Sequence, residues 1–165
     1  MKTILSTLLF FLIASTSFSQ SKIDKTLRKL NKESVDYIHV EALEKTENRI
    51  LLDAREKKEY DVSHLENAIW VGYDTFQLDS VLQKVQNKNS EIVVYCSIGV
   101  RSENIGEELE EAGYTNVKNL YGGIFEWKNE GLPVYDSIGN TTEKIHAFNK
   151  HWGKLLTSGE KVYDK

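Results

Sequence analysis

The sequence predicts an α/β protein in which a mostly parallel sheet is covered by helices on both faces. Short β-branched apolar runs alternate along the chain with segments whose apolar residues recur at helical spacing. Strands separated by helices pair in parallel, because parallel neighbours need a crossover connection. Of the 165 residues, 40% are hydrophobic and 28% charged, which is typical of one globular domain.

The first residues are predicted to be an export signal that lies outside the fold. Lys2 supplies a positive charge, and residues 4–14 form an apolar stretch too short to span a bilayer comfortably. Ser17 and Ser19 are small residues that precede an expected cleavage before Gln20. We therefore expect residues 1–19 to be removed from a periplasmic or secreted protein. An uncleaved membrane anchor is the alternative.

The mature chain is predicted to alternate between helices and strands. Residues 20–34 form a helical lead-in, because apolar residues recur there at helical spacing. The predicted strands are 49–52, 68–71, 92–95 and 117–120. The predicted helices are 57–60, a segment around 78–85, a helix that starts at Ser102 and ends before Gly113, and 124–129.

Residues 136–165 are predicted to be a helical extension of a domain that covers residues 35–135. Ile145, Phe148, Trp152 and Leu155 share one face at helical spacing. We expect this stripe to pack on the domain as a structural addition. A docking surface for a partner is the alternative.

Cys96 is the only cysteine, and it lies where an apolar strand ends and a short loop leads into a helix. A thiolate at this place faces backbone N–H groups at a helix N-terminus, where negative charge is favoured. Ligands of such sheets bind at the carboxyl ends of the strands. A single cysteine is an inert thiol, an intermolecular link or a reactive group. We expect a reactive nucleophile whose adduct leaves to an external acceptor.

Three residues after Cys96 bear on its ionisation. Arg101 places a permanent positive charge near the sulfur, which favours the thiolate. Gly99 tolerates the positive φ that a tight ring of amides requires. Glu103 is expected to compete with a bound anion from the first turn of the helix.

Five ordered motifs in residues 35–135 resemble the single-domain rhodaneses, the thiosulfate sulfurtransferase family. The active-site motif is Cys96-Ser97-Ile98-Gly99-Val100-Arg101-Ser102, which fits C-x-x-G-x-R-S. The other segments are Asp53-Ala54-Arg55 with Glu59-Tyr60, Gly113-Tyr114-Thr115-Asn116-Val117, Leu120 to Trp127, and Gly131-Leu132-Pro133-Val134.

The resemblance implies a doubly wound, five-stranded sheet and a persulfide intermediate on Cys96, with no cofactor. It implies that Ser97, Ile98, Gly99, Val100, Arg101 and Ser102 bind the substrate anion. Asp53 and Arg55 would support the loop as an ion pair. The expected function is an exported sulfurtransferase with a small anionic, thiosulfate-like donor and a thiol or cyanide-like acceptor. A protein acceptor is an alternative, and the oligomeric state stays open.

Two departures from the family pattern accompany this resemblance. Glu59 is acidic where the two-domain thiosulfate enzymes of the family carry a basic residue, which argues against thiosulfate as the natural donor. His64 lies in a segment without the family's glycines. It is expected to be structural, because sulfur transfer needs little proton shuttling.

Other function classes are less well supported. The net charge of −4 gives no electrostatic reason to expect a nucleic-acid partner. Related phosphatases and arsenate reductases use C-x5-R, a loop one residue longer than Cys96 to Arg101. A non-catalytic sulfur carrier or partner-binding module is the main alternative. No metal is expected, because the four histidines lack metal-ligand spacing.

Overall fold

A five-stranded parallel sheet organises the computed structural model, which describes residues 22–164. The strand order is β1-β5-β4-β2-β3, so the strand that leads into Cys96 is central. In register, Leu52 lies opposite Val94, and Val94 lies opposite Asn119. The strands are β1 (Tyr37–Ile38), β2 (Ile50–Asp53), β3 (Ile69–Trp70), β4 (Ile92–Tyr95) and β5 (Val117–Leu120). The predicted five-stranded, mostly parallel sheet is confirmed.

Helices cover both faces of this sheet, also as predicted. They are α1 (Lys22–Leu30), α2 (Val40–Glu44), α3 (Lys57–Val62), α4 (Leu78–Lys84), α5 (Val100–Glu111) and α6 (Gly123–Asn129). Strand β4 shows the two layers, because successive side chains of a strand point to opposite faces. Val93 and Tyr95 belong to the core cluster of α1, α2 and α6, whereas Ile92 and Val94 belong to that of α4 and α5.

The predicted helix in residues 136–165 is wrong. Strand β6 (Val134–Tyr135) pairs with β7 (Thr141–Thr142), and β8 (Lys144–His146) pairs in parallel with β9 (Glu160–Val162). The helical part is a single 3-10 turn, Trp152–Lys154. Phe148 has a φ of 60°, which no right-handed helix allows. Ile145 lies in the core and Trp152 and Leu155 pack against it, whereas Phe148 stays exposed, and the spacing of these residues is not that of a helix.

The extension is anchored to the domain by polar contacts. Ser63 Oγ donates to the Lys144 carbonyl oxygen at 2.6 Å, and Asn129 Nδ2 donates to the Leu155 carbonyl oxygen at 3.0 Å. Ile145 is fully buried in the core cluster of α1 and α6. These contacts fix the position of the segment between β8 and β9.

The predicted export signal, residues 1–19, lies outside the described residues and stays a prediction. Within residues 22–164, no helix is both long enough and apolar enough to cross a membrane.

Candidate active site

Cys96 directly follows β4, and its side chain is almost completely buried. Residues 96–101, here called the cysteine loop, turn sharply at Gly99, which has a φ of 112° and caps the N-terminus of α5. The Gly99 amide donates a hydrogen bond to Cys96 Sγ at 3.1 Å. Helix α5 begins at Val100, two residues earlier than predicted, so its first turn lies within the loop.

The pKa of the Cys96 thiol is lowered. Burial opposes ionisation, but the positive charge of Arg101 and the backbone amides of Ser102 and Gly99 outweigh it. A lowered pKa increases the fraction of the thiol that is ionised at a given pH.

The carbonyl side of the cysteine loop is fixed by two asparagines. Gly99 O accepts hydrogen bonds from Asn31 Nδ2 at 2.9 Å and from Asn119 Nδ2 at 2.8 Å. The Ser102 hydroxyl donates to Asn119 Oδ1 at 2.7 Å. Asn31 belongs to the lead-in and Asn119 to β5, so the shape of the loop depends on residues distant in sequence that its motif does not show.

Arg101 is held by Glu59, a residue of α3. Arg101 Nη1 donates to Glu59 Oε2 at 2.7 Å, and Arg101 Nη2 donates to Glu59 Oε1 at 3.0 Å. Ser97 Oγ joins both groups, because it donates to Glu59 Oε1 at 3.1 Å and accepts from Arg101 Nη2 at 3.0 Å. The guanidinium of Arg101 is therefore already paired with a carboxylate and is not free to bind an anionic substrate.

The Glu59 carboxyl is ionised despite its burial. Burial raises its pKa, but the hydrogen bonds and charge of Arg101 and the charge of Arg55 outweigh that effect, so the pKa is lowered overall. A carboxylate at this place also repels a second negative charge near the cysteine loop.

The side chains of two other residues of the predicted anion site lie in apolar surroundings, and the binding of an anion by their backbone amides stays a prediction. Ile98 is buried in the hydrophobic core, and Val100 packs at the edge of that core. Glu103 contacts the lead-in, and its effect on a bound anion stays a prediction. Its buried carboxylate accepts hydrogen bonds from the backbone amides of Lys32 and Ser34, both at 3.1 Å, and so ties the lead-in to α5.

Asp53 and Arg55 form a fully buried ion pair, with Arg55 Nη2 2.6 Å from Asp53 Oδ2. Arg55 Nη2 also donates to Ser63 O at 2.6 Å, and the Arg55 guanidinium lies 5.7 Å from the ring centre of Tyr95. Tyr95 precedes Cys96, so the pair lies beneath the end of β4. The ion pair is present as expected, and its role as a support of the cysteine loop stays a prediction.

A cavity of about 200 Å³ opens beside Cys96, and most of its wall is apolar. Part of that wall comes from the extension, which supplies Phe148 and Trp152, and α1 supplies Leu30. The aromatic residues were visible in the sequence, but the predicted helix gave no reason to place them beside Cys96. The lining residues are Leu30, Cys96, Ser97, Ile98, Val100, Arg101, Phe148 and Trp152.

His64 does not act on the cysteine loop through any hydrogen bond in the structure. Its Nδ1 lies 3.1 Å from Tyr60 O, and its ring stacks on that of Tyr60 at 4.0 Å. In the part of the chain from 22 to 164, no group of three or more His, Cys, Asp or Glu side chains could hold a metal ion.

This geometry agrees with a family model that matches the chain. The model is described as a rhodanese-like domain, and it matches residues 38–130, which include the central strands, the cysteine loop and the Arg101–Glu59 pair. The chain belongs to the rhodanese-like domain family. The matched region ends before the extension, so Phe148 and Trp152 lie outside it.

The curated relatives of this rhodanese-like protein are not named as thiosulfate sulfurtransferases, the family that the sequence motifs resemble. A tRNA uridine(34) hydroxylase of Photorhabdus laumondii is 41% identical over 92 residues, which cover 52% of this chain and 26% of the relative. One of Sodalis glossinidius is 33% identical over 125 residues, 72% of this chain and 34% of the relative. The chain thus matches only about a quarter to a third of their length.

Among solved structures, a thiosulfate sulfurtransferase from Pseudomonas aeruginosa resembles the chain with a TM-score of 0.56. The identity is 21%, and the match covers 74% of this chain and 23% of the other. At this level the similarity shows a shared fold alone.

The expected function, an exported sulfurtransferase with a thiosulfate-like anionic donor, is wrong. The curated relatives are tRNA uridine(34) hydroxylases, and their name also conflicts with the expectation of no nucleic-acid partner. The site gives a physical reason for the error over the donor, because Glu59 occupies the guanidinium that was expected to bind an anion.

Proposed function

We propose that this rhodanese-like protein is a cysteine-dependent enzyme in which the Cys96 thiolate attacks an electrophilic atom and carries the transferred group as a covalent adduct. The observation that carries the proposal is the 3.1 Å hydrogen bond from the Gly99 amide to Cys96 Sγ, at a thiol whose pKa is lowered. The thiolate is the nucleophilic form of cysteine.

A single added sulfur atom is the adduct we propose, which makes the enzyme a rhodanese-type sulfurtransferase in the broad sense. With a hydropersulfide R–S–SH as donor, the thiolate attacks the outer sulfur, a new S–S bond forms, and RS⁻ leaves with the electrons of the broken bond. An acceptor thiolate then takes the outer sulfur and regenerates the Cys96 thiolate. Amides around the loop favour the anionic adduct, since hydrogen bonds to charged groups are the stronger ones.

Mass spectrometry of the purified chain tests this proposal. After incubation with benzyl hydropersulfide, we expect a mass gain of one sulfur on the peptide that contains Cys96, and its loss when a thiol acceptor is added. The Cys96→Ala variant is the matched control, because it removes the only thiol of the chain. Absence of sulfur on Cys96, or sulfur that no acceptor removes, would contradict the proposed enzyme.

A second candidate is action on tRNA, which the name of the curated relatives states for those proteins. The 41% identity to the Photorhabdus relative favours it, although the net charge of −4 lends it no electrostatic support. Because hydroxylation is a two-electron oxidation, nucleoside analysis of tRNA incubated with the chain and molecular oxygen as the oxidant tests this candidate. Hydroxylated uridine at position 34 that depends on Cys96 supports it, and unchanged tRNA rejects it for this chain alone.

A further inference from the structure

We propose that Phe148, Trp152 and Leu30 select the substrate of Cys96, and that they favour an electrophile with an uncharged aryl group next to the reacting atom. This inference rests on the proposed nucleophilic role of Cys96. It adds the chemical class of the group that the site accepts. The three residues are here called the apolar rim.

Exposed apolar surface is concentrated at this rim. Among residues 22–164, three large hydrophobic side chains are exposed: Leu30 at 44%, Phe148 at 41% and Ile138 at 80%. Two of them line the cavity at Cys96. Apolar side chains that meet at the mouth of a cavity are typical of a ligand-binding surface, whereas single exposed ones are ordinary.

The size of the cavity suits an aryl group. A dry cavity of about 150 Å³ lined by apolar side chains accepts benzene, and the cavity beside Cys96 has a volume of about 200 Å³. The rings of Phe148 and Trp152 supply aromatic faces and edges for such a group.

Charge at the site favours a neutral substrate over an anion. Among the described residues, 22–164, Arg101 is the one cationic side chain in the cavity wall, and both of its terminal nitrogens donate to Glu59. Its guanidinium also lies 5.4 Å from the ring centre of Phe148, so an aromatic face covers part of the charge. A dianion that entered this cavity would face a compensated guanidinium and an apolar wall.

The position of Phe148 is held by a chain of hydrogen bonds. Its amide donates to His146 Nδ1 at 3.2 Å, and His146 Nε2 lies 3.1 Å from Asp164 Oδ1. Lys58 Nζ donates to Asp164 Oδ2 at 2.5 Å and thereby connects these hydrogen bonds to α3. The positive φ of Phe148 is unfavourable for a bulky residue and persists because these contacts fix it.

Alkylation of Cys96 by two maleimides tests the apolar rim without any enzymatic turnover. N-benzylmaleimide carries a phenyl group and N-methylmaleimide does not. For each reagent, the rate constant for Cys96 is divided by the rate constant of the same reagent with free N-acetylcysteine. The ratio of the two corrected values cancels changes in thiolate reactivity. We expect the native chain to favour the benzyl reagent by about tenfold, as partial burial of a phenyl group predicts.

The variants Phe148→Gly and Trp152→Leu should each lower this ratio severalfold. Glycine tolerates the positive φ at position 148, so the first variant removes the ring without backbone strain. Ile138→Ala is the matched control, since Ile138 is an exposed apolar residue of the same extension outside the cavity, and its ratio should equal that of the native chain.

A second pair of reagents tests the charge preference. N-phenylmaleimide should react faster than its para-carboxylate, after the same correction. A native ratio near one for the first pair, or a faster reaction of the carboxylate, would overturn the apolar rim while sulfur loading of Cys96 still supported the proposed function. A Cys96 that reacts with no maleimide below strongly alkaline pH would overturn both.

Discussion

Glu59 of α3 accepts two hydrogen bonds from Arg101 of the cysteine loop, at 2.7 and 3.0 Å. The positive charge that stabilises the thiolate is therefore shared with a buried carboxylate. The reactivity of the thiol and the charge preference that we propose for the substrate both depend on this pairing.

The variant Glu59→Gln should lower the pKa of Cys96 further, because the positive charge of Arg101 would no longer be compensated. The amide oxygen still accepts a hydrogen bond, so the contact with Arg101 is partly kept. The ratio of alkylation rates for iodoacetate over iodoacetamide should rise about threefold, since an anion gains from the freed charge.

Asp61→Asn is the matched control for that experiment. Asp61 lies on the same helix, is half-exposed and pairs with Lys57, so its loss removes one negative charge away from the loop. An increase of the ratio in Asp61→Asn equal to that in Glu59→Gln would show a general charge effect and would contradict the specific pairing.

The alkylation of Cys96 should depend on pH with a midpoint below the value of about 8.5 that is ordinary for cysteine. The rate constant for iodoacetamide, measured from pH 5 to 10, gives this midpoint directly, because the chain has one thiol. The same chain in concentrated denaturant is the control and should give the ordinary value. A folded-state midpoint at or above the denatured one contradicts the prediction.

The same shift links stability to pH. The pKa of Cys96 is lower in the folded chain, so the unfolded chain binds more protons between the two pKa values and stability rises with pH there. This contribution is complete above the unfolded pKa and is lost as the pH falls through the folded pKa. The free energy of unfolding of the native chain, minus that of Cys96→Ala, should therefore increase as the pH rises toward about 8.5.

The sequence predicted the sheet and the position of the cysteine loop well because both depend on local patterns. Residues 92–95 form an apolar run that is buried on both faces, and Gly99 is needed for the φ of 112° that the loop takes. The two-residue strand β1 was missed, since Tyr37 and Ile38 are too few to show a periodicity.

The pairing of Arg101 and the apolar rim were missed because they depend on contacts between distant residues. Arg101 and Glu59 are 42 residues apart, and no spacing rule brings them together. Phe148 fits a helical stripe in the sequence, but its left-handed backbone turns the chain back toward Cys96. Tertiary contacts override such local patterns.

Gly123→Ala should distort the cysteine loop and destabilise the protein by more than about 2 kcal/mol. A Cβ at this position would overlap the carbonyl oxygen of Cys96 and lie 2.7 Å from the carbonyl carbon of Ser97. The start of α6 is docked there, since the amides of Ile124 and Phe125 donate to Cys96 O at 3.0 Å and to Ser97 O at 3.1 Å. Chemical denaturation and the alkylation rate of Cys96 measure the two effects.

Gly113→Ala separates backbone strain from this overlap. Gly113 also has a positive φ, of 90°, but a Cβ there would meet no atom within 4 Å. Gly113→Ala should therefore lower the free energy of unfolding only by the strain of the left-handed backbone, about 1–2 kcal/mol. The alkylation rate of Cys96 should be unchanged. Equal losses of stability in the two variants would show that the contact of Gly123 with the loop is unimportant.

Arg55→Ala should destabilise the protein by about 3–5 kcal/mol, because it leaves the carboxylate of Asp53 buried without its partner. Arg28→Ala is the control: Arg28 pairs with Asp24 at the surface, and its loss should destabilise the protein much less. In the double variant Asp53→Asn, Arg55→Met no uncompensated charge is left, so it should be more stable than Arg55→Ala alone. A double variant less stable than the single one would contradict the role of charge compensation. It would show that Arg55 supports β4 through its hydrogen bond to Ser63 O and its packing beneath Tyr95.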